Sequence, residues 1–327
     1  MLLFLVGILS IVSVWPFDNN FSPKLTEIKS IHIPNDILIG GIQSFDFMDG
    51  NFVFTDDISA KTFLYHNKSE NFIKLNPATC HPGFVNQPLH SVYNNQSILI
   101  TNAQIQGYFF THDGECSQIV YERFIAPFFI TGYMDGFIGF TWLPNSIDLT
   151  IHHYDENGRI SHTGTFTDIS KPVLSLKLEG GGVAKSNNYI YLSTSASSHV
   201  YRYDPKNHTM EKFAKGYSEV YRSPQQDINE ERFMQNYLRE MQRLGEFNPV
   251  MGLFAFSEEY LLQTFLDRTE NRLLAHYINL ASGHSTLLQF PDDVRVIGAA
   301  DQKIYALRSE EQKPGSFTFE IVVYQID

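Results

Sequence analysis

Cysteine is nearly absent from this chain: Cys80 and Cys116 are the whole supply among 327 residues. So low a count excludes a small disulfide-stapled scaffold and leaves two readings open, one disulfide formed in an oxidising compartment or two separate thiols. Charge is sparse as well, at 18% of residues, with no Lys/Arg cluster and a formal net charge of −12. Affinity for a phosphate backbone comes from basic side chains that displace counterions, so nucleic acid is excluded as a partner. Gly-x-Ser-x-Gly does not occur, which leaves the Ser-rich stretch around Ser195, Ser197 and Ser198 without a nucleophile elbow. Gly180-Gly181-Gly182 is not followed by the helix and Lys-Ser/Thr of a phosphate loop, and reads as a flexible lead into a strand.

What the chain does have is apolar and aromatic: 43% hydrophobic residues, with 27 Phe and 17 Tyr. That is enough for a large aromatic core and argues against disorder. The run LLFLVGILSIVSVW, Leu2 to Trp15, is short for a bilayer and has the length of a signal h-region. Residues 1–22 are therefore expected to be a signal peptide or N-terminal apolar segment, the protein to be exported (periplasmic, cell-surface or secreted), and no stable membrane span to remain. No Lys or Arg precedes the run and no small-x-small cleavage site follows it, so an uncleaved anchor stays open.

A repeated unit underlies the rest: four short strands of alternating or aromatic residues joined by polar turns. Copies run over residues 44–76, 90–122, 130–166, 182–213 and 252–290, and a sixth stops at Asp327 after three strands. Lys24 to Pro34 alternates like a strand and has no partner of its own. Pairing it with the third strand of the last unit closes a ring and removes two exposed edges. Six units of about 40 residues predict an all-β domain over 23–327, a six-bladed β-propeller closed by the N-terminal strand. The turn chemistry agrees: Met48-Asp49-Gly50 and Met134-Asp135-Gly136 suit first hairpins, and the stretches after Tyr154 and Tyr203 suit third hairpins. WD-repeat and kelch propellers share the period, but no Trp-Asp dipeptide or regular Gly-Gly doublet is present.

Asn188-Tyr-Ile-Tyr-Leu with Val200-Tyr-Arg-Tyr-Asp, Gln302-Lys-Ile-Tyr-Ala-Leu, and His153-Tyr-Asp-Glu-Asn-Gly are blade phrases of a known kind. On them the chain resembles the NHL/TolB-like group of six-bladed propellers from about Lys24 to Asp327. The resemblance implies the fold, and with it a ligand-bearing face where inter-blade connections and second-to-third-strand loops converge on the central channel. Many bacterial members are exported proteins of unknown activity, so it implies no reaction.

Candidate ligand-binding residues follow from that face: Gln43, Asp57, His90, Asn102, Gln104, Trp142, His199, Tyr221, Arg268, Arg295 and Arg308. Arginines there suit a carboxylate, as in an acidic peptide or sugar acid, or else they pair with Asp57, Asp267 or Asp293. A divalent-ion hydrolase of the gluconolactonase-like kind needs converging oxygens and a carboxylate at the first inner strand. Gln43 stands there, so no metal and no cofactor are assigned. His90, His199 and His152-His153 read as structural imidazoles before they read as bases. The expected role is a monomeric binding module for a small molecule, peptide or protein partner. A hydrolase or lyase at the channel is the alternative.

One stretch breaks the pattern. DINEERFMQNYLREMQRLG, Asp227 to Gly245, has a capping pair in Asp227 and Glu230, and Met234, Tyr237, Leu238, Met241 and Leu244 at helical spacing. It predicts one inserted α-helix between blades 4 and 5, within about 217–248.

Overall fold

The computed structural model describes residues 23–37, 39–56, 58–80, 88–102, 107–120, 128–142, 148–167, 180–186, 188–195, 198–215, 248–313 and 316–327. Strand β1 (Leu25–His32) comes first. Blade 1 is β2 (Ile42–Met48), β3 (Asn51–Asp56), β4 (Lys61–His66) and β5 (Asn71–Leu75), and blade 2 is β6 (Pro88–Tyr93), β7 (Ile98–Asn102), β8 (Gly107–Phe110) and β9 (Cys116–Val120). Blade 3 is β10 (Phe129–Tyr133), β11 (Gly136–Trp142), β12 (Leu149–Tyr154) and β13 (Ile160–Phe166), and blade 4 is β14 (Gly181–Ser186), β15 (Tyr189–Thr194), β16 (His199–Asp204) and β17 (Thr209–Lys215). Blade 5 is β18 (Val250–Ala255), β19 (Tyr260–Asp267), β20 (Arg272–Asn279) and β21 (Ser285–Gln289). The last blade holds β22 (Val294–Ala300), β23 (Lys303–Lys313) and β24 (Ser316–Ile326).

Each sheet is an antiparallel meander of four strands, and in the last one β1 lies on β24 as the fourth, with Leu25 opposite Ile326 and His32 opposite Glu320. The inner strands β2, β6, β10, β14, β18 and β22 touch one another in a closed circle. This is an all-β, six-bladed propeller. Its helical content among the described residues is a single 3-10 turn, Pro77–Thr79. The expected helix at Asp227 to Gly245 lies outside the described residues.

The core sits between blades, because each sheet exposes two apolar faces that only a neighbouring sheet can cover. Six buried clusters fill the six interfaces. Blades 6 and 1, for example, meet through Phe52, Phe54 and Tyr65 on one side and Ile297, Tyr305 and Ile321 on the other, with Phe52 stacked on Tyr65 at 4.6 Å. The cluster of blades 1 and 2 includes both cysteines at its margin, and Cys80 and Cys116 form a disulfide.

Turn geometry refines the expectation for the two Met-Asp-Gly triplets. In blade 1 the turn residues are Asp49 and Gly50, both at positive φ (52° and 81°), because Met48 pairs with Asn51. In blade 3 the ladder extends to Tyr133 opposite Gly136, so Met134 carries the positive φ of 52°. Gly136 is needed in the strand itself, where a Cβ would lie 2.1 Å from the Tyr154 carbonyl oxygen. After Tyr154 and Tyr203 the turns are built as expected on aspartate. Asp155 accepts from the Asn157 and Arg159 amides, and Asp204 from those of Lys206 and Asn207.

A polar seam joins blades 4 and 5. The Gln263 amide donates to Ser193 Oγ (2.7 Å) and to the Ser198 carbonyl (3.3 Å), and its oxygen lies 3.2 Å from Nδ1 of His276, which is 1% exposed. Burial holds His276 down to about 4, from an ordinary 6.5. The unfolded chain therefore takes up this proton first. Stability from the site is whole above pH 6.5 and is lost as pH falls to about 4, about 3 kcal/mol in all. Burial pushes His153 down to about 4 as well, and it acts in the same sense. Urea midpoints at pH 7 and pH 4 should differ less in His276→Gln than in the unsubstituted protein. An equal difference in both would remove His276 as a cause.

Candidate functional site

Each inner strand enters the channel from an inter-blade connection, and the entry halves of all six enclose a chamber of about 780 Å³. Asn271, in the turn between β19 and β20, and Asp292, in the connection before β22, complete its wall. The chamber thus lies toward the face carrying inter-blade connections and second-to-third-strand loops. Residues 81–87, 121–127 and 216–247 lie outside the described residues.

Most of the wall is apolar, with Phe45, Phe128, Phe129, Phe254, Leu89 and Met251 prominent. Phe128 and Phe129 are set edge-on against Trp142 at 5.8 and 6.3 Å. Among the described lining residues only His90, Asp292 and Arg295 are ionisable. The two lining serines are occupied with each other: Ser44 Oγ lies 3.0 Å from Ser91 Oγ and accepts from the Ser91 amide at 2.8 Å. Gly180 and Gly182 are there for contact. A Cβ on Gly180 would lie 2.2 Å from the Val250 carbonyl oxygen and one on Gly182 2.8 Å from the Leu253 amide, so the close approach of β18, and not a flexible lead, requires these glycines.

Farther along the channel the chemistry changes. Asp46 on β2 accepts from the Tyr93 amide (2.7 Å) and the Phe47 amide (2.9 Å). Burial pushes its carboxyl up to about 6; these two bonds and the attraction of Lys185, on the blade opposite, pull the other way. Back at the entry end, Asp56, opposite Ile42 and 0% exposed, is a clamp: its carboxylate accepts from the amides of Gly40 and Gly41, both at 2.8 Å, and of Ser59 at 2.7 Å. Among the described residues no group of three or more His, Cys, Asp or Glu side chains is arranged to hold a metal ion.

The chamber brings together three of the candidates read from sequence, Gln43 and Arg295, both exposed, and His90, half-buried. Others sit elsewhere. Trp142 is 2% exposed and packs in the cluster between blades 3 and 4. Asn102 is buried at the end of β7, and His199 begins β16 beside Tyr201. Arg268 is exposed in the turn after β19, its amide donating to Asn248 Oδ1 at 3.1 Å. Arg308, expected in a loop, lies within β23, where Glu27 (2.7 Å), Asp293 (3.0 Å) and Glu320 (3.0 Å) hold it. The Glu27 hydrogen bond leads in raising its pKa. The Arg308–Asp293 pair is one of the expected pairings, whereas Asp267 binds Arg272 (3.3 Å), which was not among the candidates. Asp57, Gln104 and Tyr221 lie outside the described residues. Asp292 and the Phe128–Phe129 pair were not singled out from the sequence.

No family model matches the sequence, and no curated protein does either. Solved structures do match. One is a putative exported protein from Bacteroides fragilis, 12% identical, with a TM-score of 0.60 over 93% of this chain and 95% of that one. Another is the PQQ-bound aldose sugar dehydrogenase from Streptomyces coelicolor, 11% identical, with a TM-score of 0.52 over 93% of this chain and 98% of that one. At such identities the likeness is one of fold, and the chain is similar to these proteins as a β-propeller.

Proposed function

We propose that this chain is an exported, monomeric binding protein of the NHL/TolB-like kind, a ring closed by its N-terminal strand, which takes a ligand into the chamber at the head of its channel. The observation that carries the reading is the chamber itself. Its volume of about 780 Å³ falls in the range of small-molecule sites, roughly 300–1,000 Å³, and its wall is apolar with a few polar groups. A hydrolase or lyase needs converging acid, base or metal-holding groups, and the described wall offers one imidazole and one carboxylate. Export is supported by the disulfide, by the N-terminal apolar run, and by the likeness to a protein described as exported. Gln43, His90 and Arg295 are the contacts this reading assigns, and the other candidates on that face remain secondary.

The test is whether filling the chamber removes binding. The neutral probe N-phenyl-1-naphthylamine should fluoresce at one site per chain. The double variant Leu89→Trp, Met251→Trp, which places indoles on half-buried wall positions, should weaken it by about tenfold or more, the equivalent of 1.4 kcal/mol. Unaltered binding in a folded double variant would place the probe elsewhere and remove the reading.

A further inference from the structure

We infer that the chamber's ligand is an amphipathic monocarboxylate, a bulky aliphatic or ring-bearing apolar body with one acidic head, held head-first at Arg295 and Gln43. This rests on the chamber being the binding site and adds the chemistry of what fills it.

The amide and ionisable side chains of the wall, Gln43, His90, Asn271, Asp292 and Arg295, stand at the strand entries and in the turn and connection beside them. Gln43 and Arg295 are each the second residue of their inner strands, β2 and β22, which are neighbours in the circle. Asn271 and Asp292 belong to the turn and connection at that same end. Farther along the inner strands Phe45, Ile297, Val92, Val183 and Phe254 line the same space. A ligand that matches has its hydrogen-bonding groups gathered at one end.

Charge decides the sign of the head. Several arginines of the blades are neutralised by carboxylates: Arg202 by Glu211, Arg272 by Asp267, and Arg308 by three acids. Arg295 has no carboxylate within ion-pair distance among the described residues, although Asp292 lies three positions away. Asp293, the other nearby acid, is taken by Arg308. An exposed guanidinium with no paired carboxylate among the described residues, lining the same apolar chamber as the Gln43 amide, is a donor suited to a carboxylate. With a net charge of −12 the protein does not concentrate anions, so selection must come from this local contact.

A sugar acid fits less well. Each hydroxyl it brings inside must find a partner, and Ser44 and Ser91 are already joined. An acidic peptide meets the same difficulty with its backbone amides.

The experiment uses the full chain and 11-(dansylamino)undecanoate as reporter, displaced by oleate or by oleyl alcohol. Oleate is expected to bind at least about tenfold more tightly than the alcohol. Arg295→Gln should remove the preference for oleate over the alcohol, while Asp292→Asn should tighten oleate. Equal binding of acid and alcohol by the unsubstituted protein, or an Arg295→Gln variant with full preference for oleate, would overturn the carboxylate assignment and leave the chamber reading standing. Failure of acid, alcohol and N-phenyl-1-naphthylamine alike would remove the chamber reading itself. Melting curves of both variants guard against misfolding, and both positions are exposed.

Discussion

Gly132→Ala should cost more than about 4 kcal/mol of folding stability, beyond the ordinary range for one methyl group. Gly132 sits on β10, where the inner strands of blades 2 and 3 come together. A Cβ there would lie 1.7 Å from the Tyr93 carbonyl oxygen, 2.8 Å from its carbonyl carbon and 3.2 Å from Asn94 Cα. All three are backbone atoms, and that backbone is anchored. The Tyr93 amide donates to Asp46, the Asn94 amide donates to the Ser97 carbonyl, and the Asn94 side chain accepts from the amides of Gln96 and Ser97. The methyl group cannot be absorbed by a rotamer change, so blades 2 and 3 must separate, opening the cluster that holds Leu99, Phe109 and Phe137. Denaturant titration should show a large fall in midpoint, or no folded protein at all. Gly283→Ala is the control: its φ of 70° penalises alanine, but the added Cβ would meet its nearest atom at 3.6 Å, so the cost should be about 1 kcal/mol. Comparable losses in the two variants would show that close approach of the inner strands is not what Gly132 serves.

The same crowding explains what could and could not be read from the chain. The repeat was legible because each strand needs only local alternation and each hairpin a recognisable turn, as at Asp155 and Asp204. The chamber was legible only at the strand entries. Gln43, His90 and Arg295 could be named because aligned repeats show where each inner strand begins. Which side a residue faces is another matter. Four inner strands carry a register shift near their entries, between Ile42 and Ser44, Pro88 and His90, Val250 and Gly252, and Val296 and Gly298. A bulge reverses the alternation that a sequence reading relies on, so Phe45 or Phe254 could not be assigned to channel or core beforehand. Trp142 fails for a related reason, since it ends β11 and its position resembles a rim residue, yet Phe128 and Phe129 cover its ring. Arg308 depends on distance in sequence: Glu27 is 281 residues away, and only the pairing of β1 with β24 brings them together.

Removing the disulfide by Cys80→Ser with Cys116→Ser should lower stability by about 4 kcal/mol, the loop entropy that a cross-link of this span withholds from the unfolded chain. The bond spans 36 positions, from the end of the turn after β5 to the first residue of β9, and so encloses β6, β7 and β8. It ties the outer margin of blade 1 to the outermost strand of blade 2. The two sulfurs border a cluster with Leu64, Leu75 and Tyr108, so the substitution leaves two hydroxyls against apolar surface and adds to the loss. Cys→Ala at both positions separates these effects, since it retains the entropic part and omits the added hydroxyls. A loss in the alanine variant close to that in the serine variant would assign the effect to the cross-link. No loss in either would mean that the bond constrains little. The same pair bears on export: protein purified without reductant should show a mobility shift on reduction and no free thiol, as expected of a chain folded where disulfides persist. Two reactive thiols in protein recovered from its native compartment would count against export, and would leave the blade 1 and blade 2 margin held by packing alone.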